Sequence, residues 1–333
     1  MTRRIFLPFL LVGMLAGPPA WGASFGVVVC GSGGETPYRA QFAEWGERLK
    51  SVLVEALGYA PGRVWLLTES GKGDGVNGRA ALVDVEDVLE QCARQVTEED
   101  DLFVFLVGHG SYRLQVAKLN LPGPDLSAST LDRLLKPIRA RQITVVNTAS
   151  VSAAFVNVLS GSRRIVCTST RSAEERNTTR FMAFFIQALE EGSADQNRDG
   201  RISVLEVCQQ AALLTQVWYT GEGLIATEHA LLDDNGDGLG TRLPVDGDVR
   251  EGMGQDGDLA SACFLKDYVF PEGTPDGLVE AYRTALGAVE RLVRQKAETP
   301  QTAYARQLEV LLIRAARVHR QIRTFAQIQE KLQ

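Results

Sequence analysis

The feature that most constrains this chain is a pair of short, almost unbroken apolar runs. They are Leu102-Phe103-Val104-Phe105-Leu106-Val107 and Ile143-Thr144-Val145-Val146. A strand with one wet face alternates apolar and polar positions. Runs of this kind therefore belong to strands covered on both faces, as in a parallel sheet between helices. The first run ends in Gly108-His109-Gly110 and the second in Asn147-Thr148-Ala149-Ser150. Neighbouring parallel strands bring His109 and Ser150 side by side at their C-terminal ends, where open α/β sheets hold their sites. A histidine beside a nucleophile is a hydrolase arrangement.

Strands and helices alternate on either side of these runs. Strands are expected near 25–29, 63–67 and 164–168, with helices carrying apolar stripes such as Phe42, Trp45 and Leu49, or Val85, Val88 and Leu89. Connections of this length imply right-handed crossovers and a mainly parallel sheet. The chain has 333 residues, 45% of them hydrophobic, enough for one sizeable α/β domain and an appendage. A net charge of −6 without a basic stripe argues against nucleic acid as a partner. Residues 1–22 read as an export signal of the Sec or twin-arginine type, with Arg3-Arg4, an apolar stretch to Ala16 and a small-residue end at Ala20-Trp21-Gly22. About a dozen apolar residues are too few to span a bilayer. The expectation is a periplasmic or secreted protein with no membrane span after signal removal. The five cysteines follow no CxxC pattern, so neither a zinc site nor a disulfide framework is indicated. Cys30 could serve as a nucleophile at the same rim, but a thiol closing an apolar strand is more often a packed hydrophobe.

Four motifs in register carry a family resemblance. Gly31-Ser32-Gly33-Gly34 with Tyr38-Arg39-Ala40-Gln41 closes the first strand, and Gly108-His109-Gly110-Ser111 closes the third. The Ser150 segment and Cys167-Thr168-Ser169 close the next two, and Glu175 follows. Over roughly residues 25 to 230 the chain resembles the legumain-type peptidases and, more broadly, the caspase-like fold. The resemblance implies a three-layer α/β sandwich. It implies His109 as catalytic base, the Gly110 N–H as oxyanion-hole donor and Arg39 as the arginine that selects Asn or Asp, although from the residues alone Arg39 reads equally as a surface ion-pair partner on the first helix. Thr168 and Ser169 would line the same pocket, and Ser150 would stand where the family has a cysteine. Val151 replaces the acidic residue after that cysteine, and Ala40 replaces a histidine.

The cysteine-to-serine change has a chemical cost. An imidazole can hold a thiol largely as thiolate. A hydroxyl must lose its proton as it attacks, which needs a general base oriented by a third group. Without that group a serine triad loses a factor of about 10⁴. The serine therefore favours a non-catalytic module that binds a peptide or protein ligand in the old cleft. The alternative is an active endopeptidase cleaving after Asn or Asp with Ser150 and His109.

A second signal is independent of the first. Residues 195–206 match the EF-hand calcium loop at each required position. Asp195, Asn197 and Asp199 offer side-chain oxygens, Arg201 a backbone carbonyl and Glu206 a bidentate carboxylate, with Gly200 at the sharp turn. The expected cofactor is Ca2+. A weaker repeat, Asp233, Asn235 and Asp237, lacks the final ligand because Pro244 stands at its twelfth position. It reads either as an Asx-rich turn or as a loose calcium site completed by Asp246 or Asp248.

The expected layout is a caspase-like domain at 23–240, a Gly/Asp/Pro-rich linker at 241–273 and a helical hairpin at 274–333. The hairpin is read from Thr274-Pro275, Thr299-Pro300 and the 4,3-spaced seam of Leu308, Leu311, Ala315, Val318 and Ile322.

Overall fold

Why the apolar runs are unbroken is visible in their register. The computed structural model describes residues 22–244, 256–268, 270–271, 273–294 and 299–332, so the expected export signal lies, apart from Gly22, outside the described residues. Strand β1 (Ser24–Cys30) leads to helix α1 (Thr36–Ser51). Strands β2 (Val64–Thr68) and β3 (Gly78–Arg79) precede α2 (Leu82–Gln95). Strand β4 (Asp101–Val107) is followed by the antiparallel set β5 (Gly110–Arg113), β6 (Val116–Leu119) and β7 (Leu126–Ser127). Then come α3 (Ala128–Leu135), β8 (Gln142–Asn147), α4 (Val156–Leu159), β9 (Arg164–Thr168) and α5 (Phe181–Glu190). Strand β10 (Ile202–Ser203), α6 (Val204–Gly221), β11 (Leu231–Asp233) and β12 (Thr241–Arg242) follow. The chain continues through α7 (Asp258–Ser261), β13 (Phe264–Lys266), α8 (Asp276–Arg294) and α9 (Gln301–Leu332).

The large sheet has the order β12-β11-β9-β8-β4-β1-β2-β3. Strands β3, β2, β1, β4, β8 and β9 run parallel, while β11 and β12 close one edge antiparallel. Leu66, Val28, Phe105, Val146, Cys167 and Leu232 form one row across it. That row packs with Phe42, Trp45 and Leu49 of α1 and with the buried faces of α5 and α6. The adjacent row, Trp65, Val27, Val104, Val145 and Val166, packs with α2, α3 and α4 on the other face. This is the expected three-layer arrangement, and both faces of β4 are dry. Burying these side chains, at about 1.5–3 kcal/mol each, supplies most of the driving force. At the N-terminal edge Arg141 forks onto the buried Asp101.

The 241–273 segment departs from expectation. Its described part is no linker. Strand β13 pairs with β10, and Ala260, Cys263 and Leu265 are buried in the core against α6. The Gly and Asp content marks turns, whereas three small or apolar residues spaced two or three apart pack inward. The hairpin of α8 on α9 is as expected, with Tyr268, Phe270, Tyr282 and His319 clustered at its base.

Truncating Leu265 tests this packing. Leu265→Ala should cost about 2–4 kcal/mol, read by urea unfolding of the whole chain. A loss below about 0.5 kcal/mol would mean that the segment is peripheral.

Candidate functional site

Strand order reverses between β1 and β4, since β1 continues to β2 on one side and β4 to β8 on the other. The crevice at such a reversal is the usual ligand site of an open α/β sheet. A cleft of about 690 Å³ lies there, lined by Glu35, Tyr38 and Gln41 from the start of α1, by His109 and by residues 176–180. A hollow of about 860 Å³ on the far side of the 171–174 segment is larger, but His109 does not line it.

The glycines around His109 have separate physical reasons. Gly108 has φ of 151°, outside the comfortable range of other residues. A Cβ on Gly110 would stand 2.1 Å from the Ser150 carbonyl oxygen. The backbone therefore passes tightly against the neighbouring strand end. His109 lies edge-on to Tyr38 and Phe42, with ring centres 5.0 and 5.1 Å away. Burial lowers its pKa, against the opposing effects of the Gly33 carbonyl and Glu35. The imidazole is thus largely neutral at pH 7.

Ser150 stands at the same rim, as the register predicts. Its Oγ accepts the Gly110 N–H at 3.0 Å and lies 3.4 Å from the Gly110 carbonyl. These, rather than the His109 ring, are its hydrogen-bond partners among the described residues. Only 2% of Ser150 is exposed. Val151 follows with φ of 54°, a strained left-handed geometry for a β-branched residue. Its N–H bonds the Glu175 carbonyl at 2.9 Å, which lays the 171–180 segment across the serine.

The remaining expected site residues fall elsewhere. Arg39 is 51% exposed, pairs with Glu69 at 3.0 Å and donates to the Gly34 carbonyl, so it faces the tip of β2 and is absent from the cleft lining. Helical phase explains this, since Tyr38 and Gln41 line the cleft and Arg39 lies about 100° around the helix from Tyr38. Thr168 and Ser169 are fully buried, and their hydroxyls donate to the Thr170 and Ala149 carbonyls. Ser152 and Thr170 extend this hydroxyl network. All five cysteines are free and buried. Burial pushes the Cys30 thiol up to about 12, which leaves it inert as a nucleophile.

Sequence reasoning noted Glu175 after the pocket strand but missed its role, and that of Glu228 and His229, in holding the 171–180 segment. Glu175 accepts the N–H groups of Arg171 and His229 and pairs with His229 Nδ1. Buried Glu228 accepts the N–H groups of Arg180 and Phe181 at the start of α5 and the Tyr219 hydroxyl. The signal for Glu228 and His229 was a polar pair set directly before the apolar run from Ala230 to Leu232.

Loop 195–206 lies between α5 and α6. Gly200 and Arg198 take positive φ, and Asp195 accepts the N–H groups of Asp199 and Gly200 at 3.0 Å each. Asn197 and Asp199 each accept the N–H two residues on. Glu206 closes the loop, accepting from Ser203 and, at 3.4 Å, from the Asn197 N–H, in a capping box that starts α6. The donors are all oxygens, the chemistry of a hard cation. As described, these oxygens face the loop's own N–H groups. No three His, Cys, Asp or Glu side chains among the described residues are gathered around a metal position. Asp246 and Asp248 lie outside the described residues.

No family model and no curated protein matches the chain. Among solved structures, the crystal structure of protein GSU0716 from Geobacter sulfurreducens aligns with a TM-score of 0.40 and 10% identity. The alignment covers 64% of this chain and 92% of that one. That likeness is too slight to bear on function. No described helix is long and apolar enough to cross a membrane.

Burial raises Glu228 from an ordinary 4.5 to about 7. Below pH 4.5 both folded and unfolded chains carry this proton. As pH rises toward 7 the unfolded chain loses it first, so stability falls across that window by about 3 kcal/mol. Urea unfolding across pH should show this fall in the native chain and its removal in Glu228→Gln. Parallel curves would refute it.

Proposed function

We propose that the chain is a caspase-like domain of legumain type whose peptidase site has become a non-catalytic cleft for a peptide or protein segment. The hydrogen bond from the Gly110 N–H to Ser150 Oγ carries this reading. An oxyanion-hole donor must be free to meet charge developing on the substrate. In this chain the donor is occupied by the hydroxyl that would attack, and that hydroxyl lies beneath the Glu175 segment. Among the described residues no carboxylate hydrogen-bonds the His109 ring to orient it; the Gly33 carbonyl and, farther away, Glu35 are what favour its charged form. A lost oxyanion donor costs a factor of about 10²–10³, and a missing orienting group about 10⁴. Together they leave little catalysis.

The cleft retains what binding needs. Tyr38 supplies an apolar wall, Gln41 an amide, and Arg176 and Arg180 positive charge toward an acidic or amide side chain. Arg180 is held over the Trp218 ring at 3.8 Å. Export to the periplasm or medium, read from residues 1–22, belongs to the same proposal. So does Ca2+ in the 195–206 loop, held by Asp195, Asn197, Asp199, Glu206 and the Arg201 carbonyl. Millimolar external calcium suffices for weak sites, and the ion would brace α5 against α6. One observation favours the active alternative: a neutral His109 can accept a proton.

Purified protein and its Ser150→Ala form should both leave Asn- and Asp-containing peptides uncut. Binding of the same peptides, read by fluorescence polarisation, should survive Ser150→Ala and weaken about tenfold in Arg176→Ala, the loss of one charge-assisted contact. Native turnover abolished by Ser150→Ala would establish the peptidase and overturn the binding role.

A further inference from the structure

We propose that the outer face of α9 docks on an anionic phospholipid surface, with Arg314, Arg317, Arg320 and Arg323 on the headgroup phosphates and Val310 and Ile313 set between them. The proposal is independent of the cleft and of the 195–206 loop. From Val310 to Ile328 the helix carries these four arginines and no Asp or Glu. Successive residues of an α-helix turn by about 100°, so arginines spaced by three fall back about 60° each. Together the four sweep about half of the helix surface. Ala315 and Ile322, buried where α9 packs on α8, lie on the opposite half. This corrects the expectation, drawn from a net charge of −6, that the chain has no basic stripe.

The arginines are exposed, and among the described residues none of the four forms an ion pair. On the α/β body, by contrast, Arg48, Arg133 and Arg164 meet Glu190, Glu86 and Asp132. A helix that only faces water commonly interleaves acids with its bases at i,i+4 spacing. The outer half of α9 is instead complementary to a negative surface. Charge alone suits any polyanion, and the apolar side chains decide among them. Val310 and Ile313 fall within the arginine half and are 62% and 44% exposed. An interfacial helix sinks such side chains below the headgroups while arginine stems reach up to the phosphates. Single-stranded nucleic acid is held by aromatic rings on which bases stack, whereas the large apolar side chains exposed on α9, Val310, Leu312, Ile313 and Ile328, are all aliphatic. The helix is not apolar enough to cross a bilayer, so the contact is with its surface.

Cosedimentation of the full chain with phosphatidylcholine vesicles containing about 30% phosphatidylglycerol tests this at low salt. Each arginine near such a surface contributes about fivefold to binding. Changing all four, Arg314→Gln, Arg317→Gln, Arg320→Gln and Arg323→Gln, should therefore weaken binding several hundredfold, and about 0.5 M salt should release the native chain. Both chains share the same N-terminal segment, so the difference reads α9. Val310→Ser with Ile313→Ser, all arginines kept, should weaken binding about tenfold. These side chains are exposed, and an unchanged Tm confirms that each variant is folded. Equal binding by the arginine variant, or no loss on removing the two aliphatic side chains, would overturn the lipid contact. Displacement of the vesicles by a single-stranded oligonucleotide at equal phosphate concentration would also overturn it and assign the face to nucleic acid.

Discussion

Strand β4 is bonded on one side to β1 and on the other to β8, with side chains buried on both faces. A strand so enclosed cannot slip by one residue, because every side chain would then change faces at once. Its end is therefore fixed in space, and the turn at Gly108 to Gly110 inherits that precision. Ser150 is fixed in the same way by β8. The approach of the two strand ends, tight enough to exclude a Cβ at Gly110, follows from the register of the sheet and needs no loop to create it.

What covers that rim has a different origin. The 171–180 segment has little regular structure of its own and is held by polar contacts: Glu175 to His229, Glu228 to the first N–H groups of α5, and the Thr179 hydroxyl to the Thr148 carbonyl. A carboxylate at a helix N-terminus is favourable, but burying it raises its proton affinity, so this latch responds to pH. Antiparallel β11 brings Glu228 and His229 to the segment and at its other end carries Asp233 into the acidic turn.

Much of this was legible residue by residue. The runs at 102–107 and 143–146 announced buried parallel strands because only full coverage tolerates such a pattern, and they placed His109 and Ser150 at one rim. Of the two readings open for Arg39, the surface ion pair is the one formed, with Glu69; the pocket role implied by the resemblance fails because a helix distributes successive residues around its axis, and a resemblance names a position without its rotation. The 241–273 segment was misread because Ala260, Cys263 and Leu265 are too few to form a periodic signal, although each fills a gap in the core.

Sequence by itself determined the three-layer α/β class, the placing of His109 and Ser150 at the ends of neighbouring strands, and two oxygen-rich turns, because hydrophobic periodicity and donor spacing are local properties. Tertiary structure alone decided that the Ser150 hydroxyl is buried on a backbone N–H and that Glu175 and Glu228 hold the cover. Those outcomes depend on groups far apart in the chain meeting at distances of about 3 Å, which no local pattern encodes.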